Sequence, residues 1–370
     1  MYFIELKRLS HFTHSDLKNM WFTVAQTAIP NIFLSWPWID SWLSLLKDQD
    51  DIYVITASHH NQCVGIGIFV EKHVTRHGFF KSKQWYLHRT GDDKLDQIWI
   101  EKNNFLVSDQ NSRQITSAMW QHLFLNQPDV DEFIVNVALD ETSIGITTHN
   151  TDYQLVKENI DVGYLLAINA IKDSSRFPQE ISNSTYKHVE RTIRRLNQDN
   201  DLTFEFVTDP AAILNTLEQL SHWHITKWEG TTTPSGFNND TFQDFHSRFI
   251  RQKLDNACIA VLSAGGEIIG VNYYLRHKRN LAFYLSCIKP ITDNKIKIGL
   301  ALHCLVARQA HTMNIAFIDY LAGDADYKRK LSNNTEAYCQ ITVQKRQIKF
   351  KIEASLGKLK RRFLNVKQRQ

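Results

Sequence analysis

Cys258-Ile-Ala-Val-Leu-Ser263, Ala264-Gly-Gly-Glu267 and Ile268-Ile-Gly-Val-Asn-Tyr-Tyr-Leu275 follow one another without a break in this 370-residue chain. Two apolar runs joined by a short segment with adjacent glycines read as a hairpin, because Gly-Gly takes the positive φ angles that a tight antiparallel turn requires. Leu281–Ile288 supplies the next strand. Beyond it the pattern predicts a helix over Ile298–Met313, a strand over Ala316–Leu321, a short helix over Asp324–Leu331 and a last strand near Ala337–Val343. Upstream, Asp209-Pro210 carries the N-cap and first-turn residues of a helix. Its apolar stripe is Ile213, Leu217 and Leu220, and His224 is the next position on that stripe. Leu202–Val207 alternates apolar and polar residues, as a half-buried strand does. Ser184–Asn197 reads as a helix with Val189, Ile193 and Leu196 on one face, and Tyr164–Ala170 as a strand. This order gives a mixed α/β sheet and not the strict alternation of a doubly wound one.

The first half runs through a similar cycle. A strand at Tyr2–Leu6 precedes a helix from Asp16 and a Trp-rich helix over Trp36–Leu46, where Trp38, Trp42 and Leu45 share a face behind Pro37. Strands are predicted at Ile52–Ala57 and Cys63–Val70, with His73 and His77 in a turn beyond, then near Gln84–Leu87 and Asn104–Val107. A helix over Arg113–Leu125 and a strand at Glu132–Val137 complete the half. Two modules are therefore expected, residues 1–158 and 159–345, followed by a basic tail at 346–370.

Composition narrows the class. A hydrophobic share of 43% and a charged share of 22% are those of a globular protein, and 14 Gly with 7 Pro exclude collagen-like and Pro-rich architectures. The five cysteines are odd in number with no close pair, which predicts neither a zinc site nor a disulfide framework and fits a reducing compartment. The first residues lack a basic leader followed by an apolar run, and no window approaches about 20 apolar residues, so the expected location is cytoplasmic. A net charge of +4 is too small to imply nucleic acid, but it is unevenly spread: Ile341–Gln370 holds ten Lys and Arg against one Glu. There Leu356, Leu359, Phe363 and Val366 recur among Lys358, Lys360, Arg361, Arg362 and Lys367. That spacing suits an amphipathic helix on the anionic inner face of a membrane, and equally a helix packed on the domain with its charges in water. Nucleophile-elbow, P-loop and zincin motifs are absent, which sets aside those chemistries.

Four segments carry a family resemblance. They are His224-Ile-Thr-Lys227-Trp228-Glu-Gly230; Phe237–Phe249 with Phe245-His246 in its helix; the hairpin Ala260–Leu275 followed by Phe283-Tyr284-Leu285-Ser286; and Ile318-Asp319-Tyr320-Leu321-Ala-Gly323-Asp324-Ala-Asp326-Tyr327-Lys328-Arg329. Together they resemble the CelD-like and FemAB-related branch of the GNAT acyltransferases, closely over about residues 180–335 and loosely over the first half. The resemblance implies two tandem GNAT-like modules and transfer of an acyl group, expected to be acetyl, from coenzyme A to an amine or hydroxyl. The implied acceptor is a small-molecule, glycan or lipid-linked precursor of the cell envelope or an exopolysaccharide. Fem-type transfer from aminoacyl-tRNA and a catalytically silent scaffold are the alternatives.

An acyl-CoA enzyme must hold a diphosphate, and free backbone N–H groups at a helix start do so. The stretch matching the family's phosphate turn is Ile296-Lys297-Ile298-Gly299-Leu300-Ala301. Lys297, Gly299, Leu300 and Ala301 are the expected donor residues, while Ile296 departs from the family's Arg or Gln. Amide formation needs a base for the acceptor and an acid for the leaving thiolate. Asp319 or His224 is the expected base, although a strand-end Asp also simply caps a turn and a His on an apolar stripe also simply fills a core. Tyr327 and Tyr284 are the acid candidates. Lys187, Arg191, Lys227, Trp228 and Lys328 are the expected acceptor contacts, with a solvated basic face as the plain alternative for Lys187 and Arg191. No metal is expected, since His222 and His224 do not share a helix face.

Overall fold

A computed structural model describes residues 1–46, 51–149, 151–198, 201–252, 255–353 and 355–356. The first half contains β1 (Phe3–Arg8), α1 (His14–Ala25), α2 (Trp36–Leu43), β2 (Ile52–His59), β3 (Gln62–Arg76), β4 (Phe80–Leu87), β5 (Leu106–Val107), α3 (Ser112–Asn126), β6 (Glu132–Leu139) and β7 (Tyr153–Ala167). The second contains α4 (Asn183–Leu196), β8 (Thr203–Val207), α5 (Pro210–Trp228), α6 (Asp240–Arg251), β9 (Ala257–Ala264), β10 (Glu267–His277), β11 (Asn280–Ile288), α7 (Ile298–Ala310), β12 (Phe317–Ala322), α8 (Asp326–Leu331) and β13 (Asn334–Lys345). Side-chain caps start several helices where the sequence has Thr, Ser, Asp or Asn: Thr13 accepts from Asp16 N, Ser182 from Thr185 N, Asp209 from Ala212 N and Asn239 from Thr241 N.

The series β1, α1, α2, β2, β3, β4, α3, β6, β7 recurs as β8, α5, α6, β9, β10, β11, α7, β12, β13. The two sets join in one sheet, ordered β1-β2-β3-β4-β6-β13-β7-β12-β11-β10-β9-β8, with β5 beside β3. The last strand of each series has crossed over: β13 lies between β6 and β7, and β7 pairs with β12. The expected junction at residue 158 thus falls inside β7, and the halves share strands instead of meeting at a linker. β3 runs on to Arg76 against β4, so His73 is in a strand and not in the expected turn; His77 (φ 52°) begins the turn.

Three groups of apolar side chains hold the layers. Helices α1, α2, α5 and α6 pack between the two halves of the sheet, with Trp38 edge-on to Phe245 at 4.6 Å and to Phe249 at 5.7 Å. Helix α7 covers the outer face of the second half and α3 that of the first. Burial of a side chain as large as Trp38 stabilises by about 2–3 kcal/mol, so the layer of four helices fixes how the halves sit. The beginning of the basic tail docks on the first half: Phe350 is buried, Lys349 pairs with Asp131 and Glu353 with Arg76. Leu356 is exposed, and Leu359, Phe363 and Val366 lie outside the described residues.

Candidate functional site

Parallel strands β11 and β12 pair at only three positions, Asn280↔Phe317, Leu281↔Ile318 and Ala282↔Asp319. Past these they part. On β11 an extra residue, Tyr284, bulges against β10, where Phe283 and Leu285 oppose Tyr274 and Tyr273. On β12 the ladder with β7 is broken between Asp319 and Ala322, and Leu321 takes a left-handed φ of 61°. Both irregularities turn the strands away from a common ladder. A cavity of about 1070 Å³ opens at the parted ends, lined by Ser286 and Ile288 of β11, Ile298–Leu300 and His303 of α7, and Tyr327 of α8.

The first turn of α7 faces this cavity without a cap. Lys297 makes no side-chain cap bond, and the first intrahelical bond runs from Ala301 N to Lys297 O. The N–H groups of Ile298, Gly299 and Leu300 have no intrahelical acceptor, as the first turn of any helix dictates. Lys227, Lys289, Lys295, Lys297, Lys330 and Arg191 stand round the same cavity, with Asp326 among them. Partial desolvation lowers the Lys227 ammonium from its ordinary value. Free amides, a helix dipole and a cationic rim form a receptor for a ligand with several phosphate charges.

Deeper in, His303 Nδ1 lies 3.2 Å from Asn272 Nδ2 and 3.3 Å from the Tyr274 hydroxyl. The buried Asn272 amide and the Tyr274 hydroxyl together hold the imidazole in place through Nδ1. Burial, and then Lys328 and Lys227, push the imidazole down to about 3. Tyr327 stacks on this ring at 5.1 Å, and burial raises its phenol, which stays protonated at neutral pH.

A segment of the first half crosses the parted strands on the side facing α5 and α6. The Tyr284 hydroxyl donates to Ile98 O at 2.6 Å, and Ala322 N donates to Glu101 Oε2 at 2.8 Å. Lys102 Nζ lies 2.6 Å from both Asp319 Oδ2 and Glu336 Oε2. The segment is fixed from behind. Asp96 accepts the N–H groups of Thr90 and Gly91, and fully buried Asn103 donates to Leu87 O at 2.7 Å and to Val137 O through its backbone at 3.2 Å. Leu87 and Val137 belong to β4 and β6, the corresponding parallel pair of the first half, which also matches at only three positions. Asn103 bridges that opening, while among the described residues no single residue bridges β11 and β12 in this way at their parted ends.

Residues 183–329 match the family described as an acetyltransferase (GNAT) domain, a span that runs from α4 to α8 and takes in the parted strands. This part of the chain is a GNAT domain. The chain as a whole resembles FemX with a TM-score of 0.57 at 9% identity, over 91% of this chain and 96% of that one. It also resembles a conserved protein of unknown function from Bacteroides thetaiotaomicron (0.54, 10% identity, 93% and 100% covered) and L-PGS from Bacillus licheniformis (0.52, 12% identity, 87% and 90% covered). At such identities the likeness is one of fold, two tandem GNAT-like modules in a FemAB-like arrangement. No curated protein matches the sequence.

Within the GNAT domain the expected residues separate into two groups. Lys297, Gly299, Leu300, Tyr327, Arg191 and Lys227 line the cavity, and Ala301 is buried beneath the first turn of α7. Trp228 is 37% exposed, with the Lys227 ammonium 5.7 Å from its ring centre. Lys187 is exposed and stands outside the lining.

The other expectations are corrected. Asp319 sits at the paired end of β12, engaged by Lys102 and by the Leu321 N–H at 2.9 Å, so its carboxylate is committed to an ion pair and a turn. His224 is buried with Nδ1 2.7 Å from Ser235 Oγ and Phe237 against its ring, and burial and Lys227 push it down to about 4; it is a core residue. Tyr284 packs its ring near Trp38, Phe242 and His246 and holds Ile98, so it positions a segment and is no acid. Lys328 is buried beneath Gly323 and donates to Ala322 O at 2.6 Å, tying the turn after β12 where an acceptor contact was expected. Sequence reasoning missed His303 and Glu101. The first lies one turn along from Gly299 on a helix already predicted; the second has no signal in the sequence.

Proposed function

We propose that this protein transfers an acetyl group from acetyl-CoA to an amine or hydroxyl of a small-molecule, glycan or lipid-linked envelope precursor. The observation that carries this reading is the opening between β11 and β12, with the uncapped start of α7 and its cationic rim at one end. The amides of Ile298–Leu300, with Lys295 and Lys297, would hold the diphosphate, and the unpaired edge of β11 from Leu285 to Ile288 would line the acyl arm. Coenzyme A, when bound, supplies an acyl group activated as a thioester. Tyr327, kept protonated by its raised pKa, is suited to deliver a proton to the leaving sulfur. The first half acts as a wall of the acceptor side, its own opening bridged by Asn103.

The reaction would take place in the cytoplasm, and the basic tail would bring the protein to the inner face of an anionic membrane. Among the described residues no helix is long and apolar enough to cross a membrane, and no group of His, Cys, Asp or Glu is arranged to hold a metal. The Fem-type resemblance of the sequence gives the rival donor, aminoacyl-tRNA. Calorimetric titration with coenzyme A and acetyl-CoA discriminates: saturable binding of both is expected. Absence of binding together with aminoacyl-tRNA-dependent turnover would favour the Fem-type reaction, and absence of both a scaffold.

A further inference from the structure

We infer that Glu101, a residue of the first half, is the general base that takes the proton from the acceptor amine in the second half's GNAT site. The inference rests on the acetyl-CoA reading and adds to it the group that activates the acceptor.

The donor cavity opens where α7 covers the sheet and reaches the end of α5 at Trp223–Lys227, with His303 of α7 edge-on to Phe283. The Ile98–Lys102 segment lies against the opposite face, where the neighbouring side chain Tyr284 packs with Phe242 and His246 of α6. It is tied to both parted strands, through Ile98 to β11 and through Glu101 to β12. An acyl carbon held between those strands is approached by its acceptor from the face that the donor leaves free. Glu101 stands on that face, partly exposed, with Oε2 engaged by Ala322 N and the Tyr338 phenol beside its carboxyl.

Asp319 is held in its ion pair, His224 and His303 are pushed down to about 4 and 3 by burial, and the phenols of Tyr284 and Tyr327 are raised. The charged and titratable groups facing Glu101 are Lys102 on its own segment, Asp319 on β12, Lys328 on α8, Tyr284 on β11, and Tyr338 and Glu336 on β13. Burial raises its carboxyl; the Ala322 N–H opposes this, Asp319 raises it further, and Lys328 and Lys102 lower it, for a value of about 7. A base poised there accepts a proton near neutral pH and releases it readily.

The Glu101 carboxylate takes one proton from the acceptor ammonium. The freed lone pair forms the N–C bond at the thioester carbonyl, and the C–S bond breaks with its electron pair on sulfur. The second nitrogen proton ends on that sulfur through Tyr327, leaving an amide, a thiol and a protonated Glu101 that loses its proton to water.

The test measures thiol release from acetyl-CoA by the full-length protein, with glucosamine and a lysine ester as amines and hydroxylamine as a nucleophile already unprotonated at neutral pH. For the wild type, turnover with the amines should rise through a midpoint near pH 7. Glu101→Gln should bind coenzyme A as the wild type does, lose that inflection and fall about 100-fold with the amines, yet retain turnover with hydroxylamine. Glu101→Asp should recover part of the loss. Wild-type turnover and pH profile in Glu101→Gln, or equal losses with amines and hydroxylamine while coenzyme A still binds, would overturn the inference. If the wild type releases no thiol with any nucleophile, the donor reading falls and the inference with it, and coenzyme A titration separates that case from the others.

Discussion

A carboxyl group held near pH 7 by its surroundings leaves a mark on stability as well as on rate. Glu101 has a folded-state value of about 7 against 4.5 for the free side chain. Its raised value favours the folded chain while the proton is on: that stability is fully present below pH 4.5 and is lost as the pH rises through 7. Glu101→Gln, which mimics the protonated form, should therefore be more stable than the wild type above pH 7, with the gap closing towards pH 4.5. A shift of this size sets an upper bound of about 3 kcal/mol, reduced by the side chain's remaining exposure; melting temperatures across pH check the sign. Asp319→Asn should behave differently. It leaves Lys102 with Glu336 alone, which should cost about 1–3 kcal/mol in denaturant titrations, and by removing a negative charge that raises the Glu101 carboxyl it should move the pH midpoint of turnover below 7. At this scale the sequence disclosed residues that sit on a recurring pattern: Gly299 at a helix start and Tyr327 in the Asp-to-Lys motif. It disclosed nothing of Glu101, because Gln97–Asn104 has neither helical nor strand periodicity and its partner Ala322 is 221 positions away.

Among the elements, α7 carries two demands that pull apart. A Cβ at Gly299 would meet Ile288 at 3.6 and 3.8 Å, ordinary contact, so nothing in the packing requires glycine there. Gly299→Ala should raise stability by up to about 1 kcal/mol through helix propensity. The added methyl would crowd the approach to the free amides, and affinity for coenzyme A should drop about tenfold, or 1.4 kcal/mol. Calorimetry and thermal melts on the same variant test the opposite signs together; unchanged affinity would separate α7 from the donor. Most elements were legible as elements. The hairpin of β9 and β10 falls where Gly265-Gly266 placed it, and α5 begins at the Asp209-Pro210 signal. Lengths were less so: β7 starts at Tyr153, eleven residues before the predicted strand, because its polar stretch Lys157–Asp161 becomes a strand only by pairing with β13.

At the scale of the molecule, the exchanged strands make the two modules interdependent. Residues 159–370 alone would lack the first part of β7, Tyr153–Glu158, and the whole of β6, both partners of β13. That fragment should be aggregated or loosely packed, seen by size-exclusion chromatography and near-UV circular dichroism, whereas a compact monomer would show that the exchange is dispensable. No local pattern could have revealed this crossover, since it depends on which of two similar sheet edges a late strand joins. It also explains how the first module, its own opening bridged by Asn103, can bring Glu101 to the second. The claim on which this depends is that coenzyme A enters between β11 and β12. Hydrogen–deuterium exchange with and without coenzyme A tests it most directly. Added coenzyme A should slow exchange of the amides of Ile298–Leu300 and of Leu285–Ile288; unchanged exchange at both, or slowing confined to the start of α3, would contradict it.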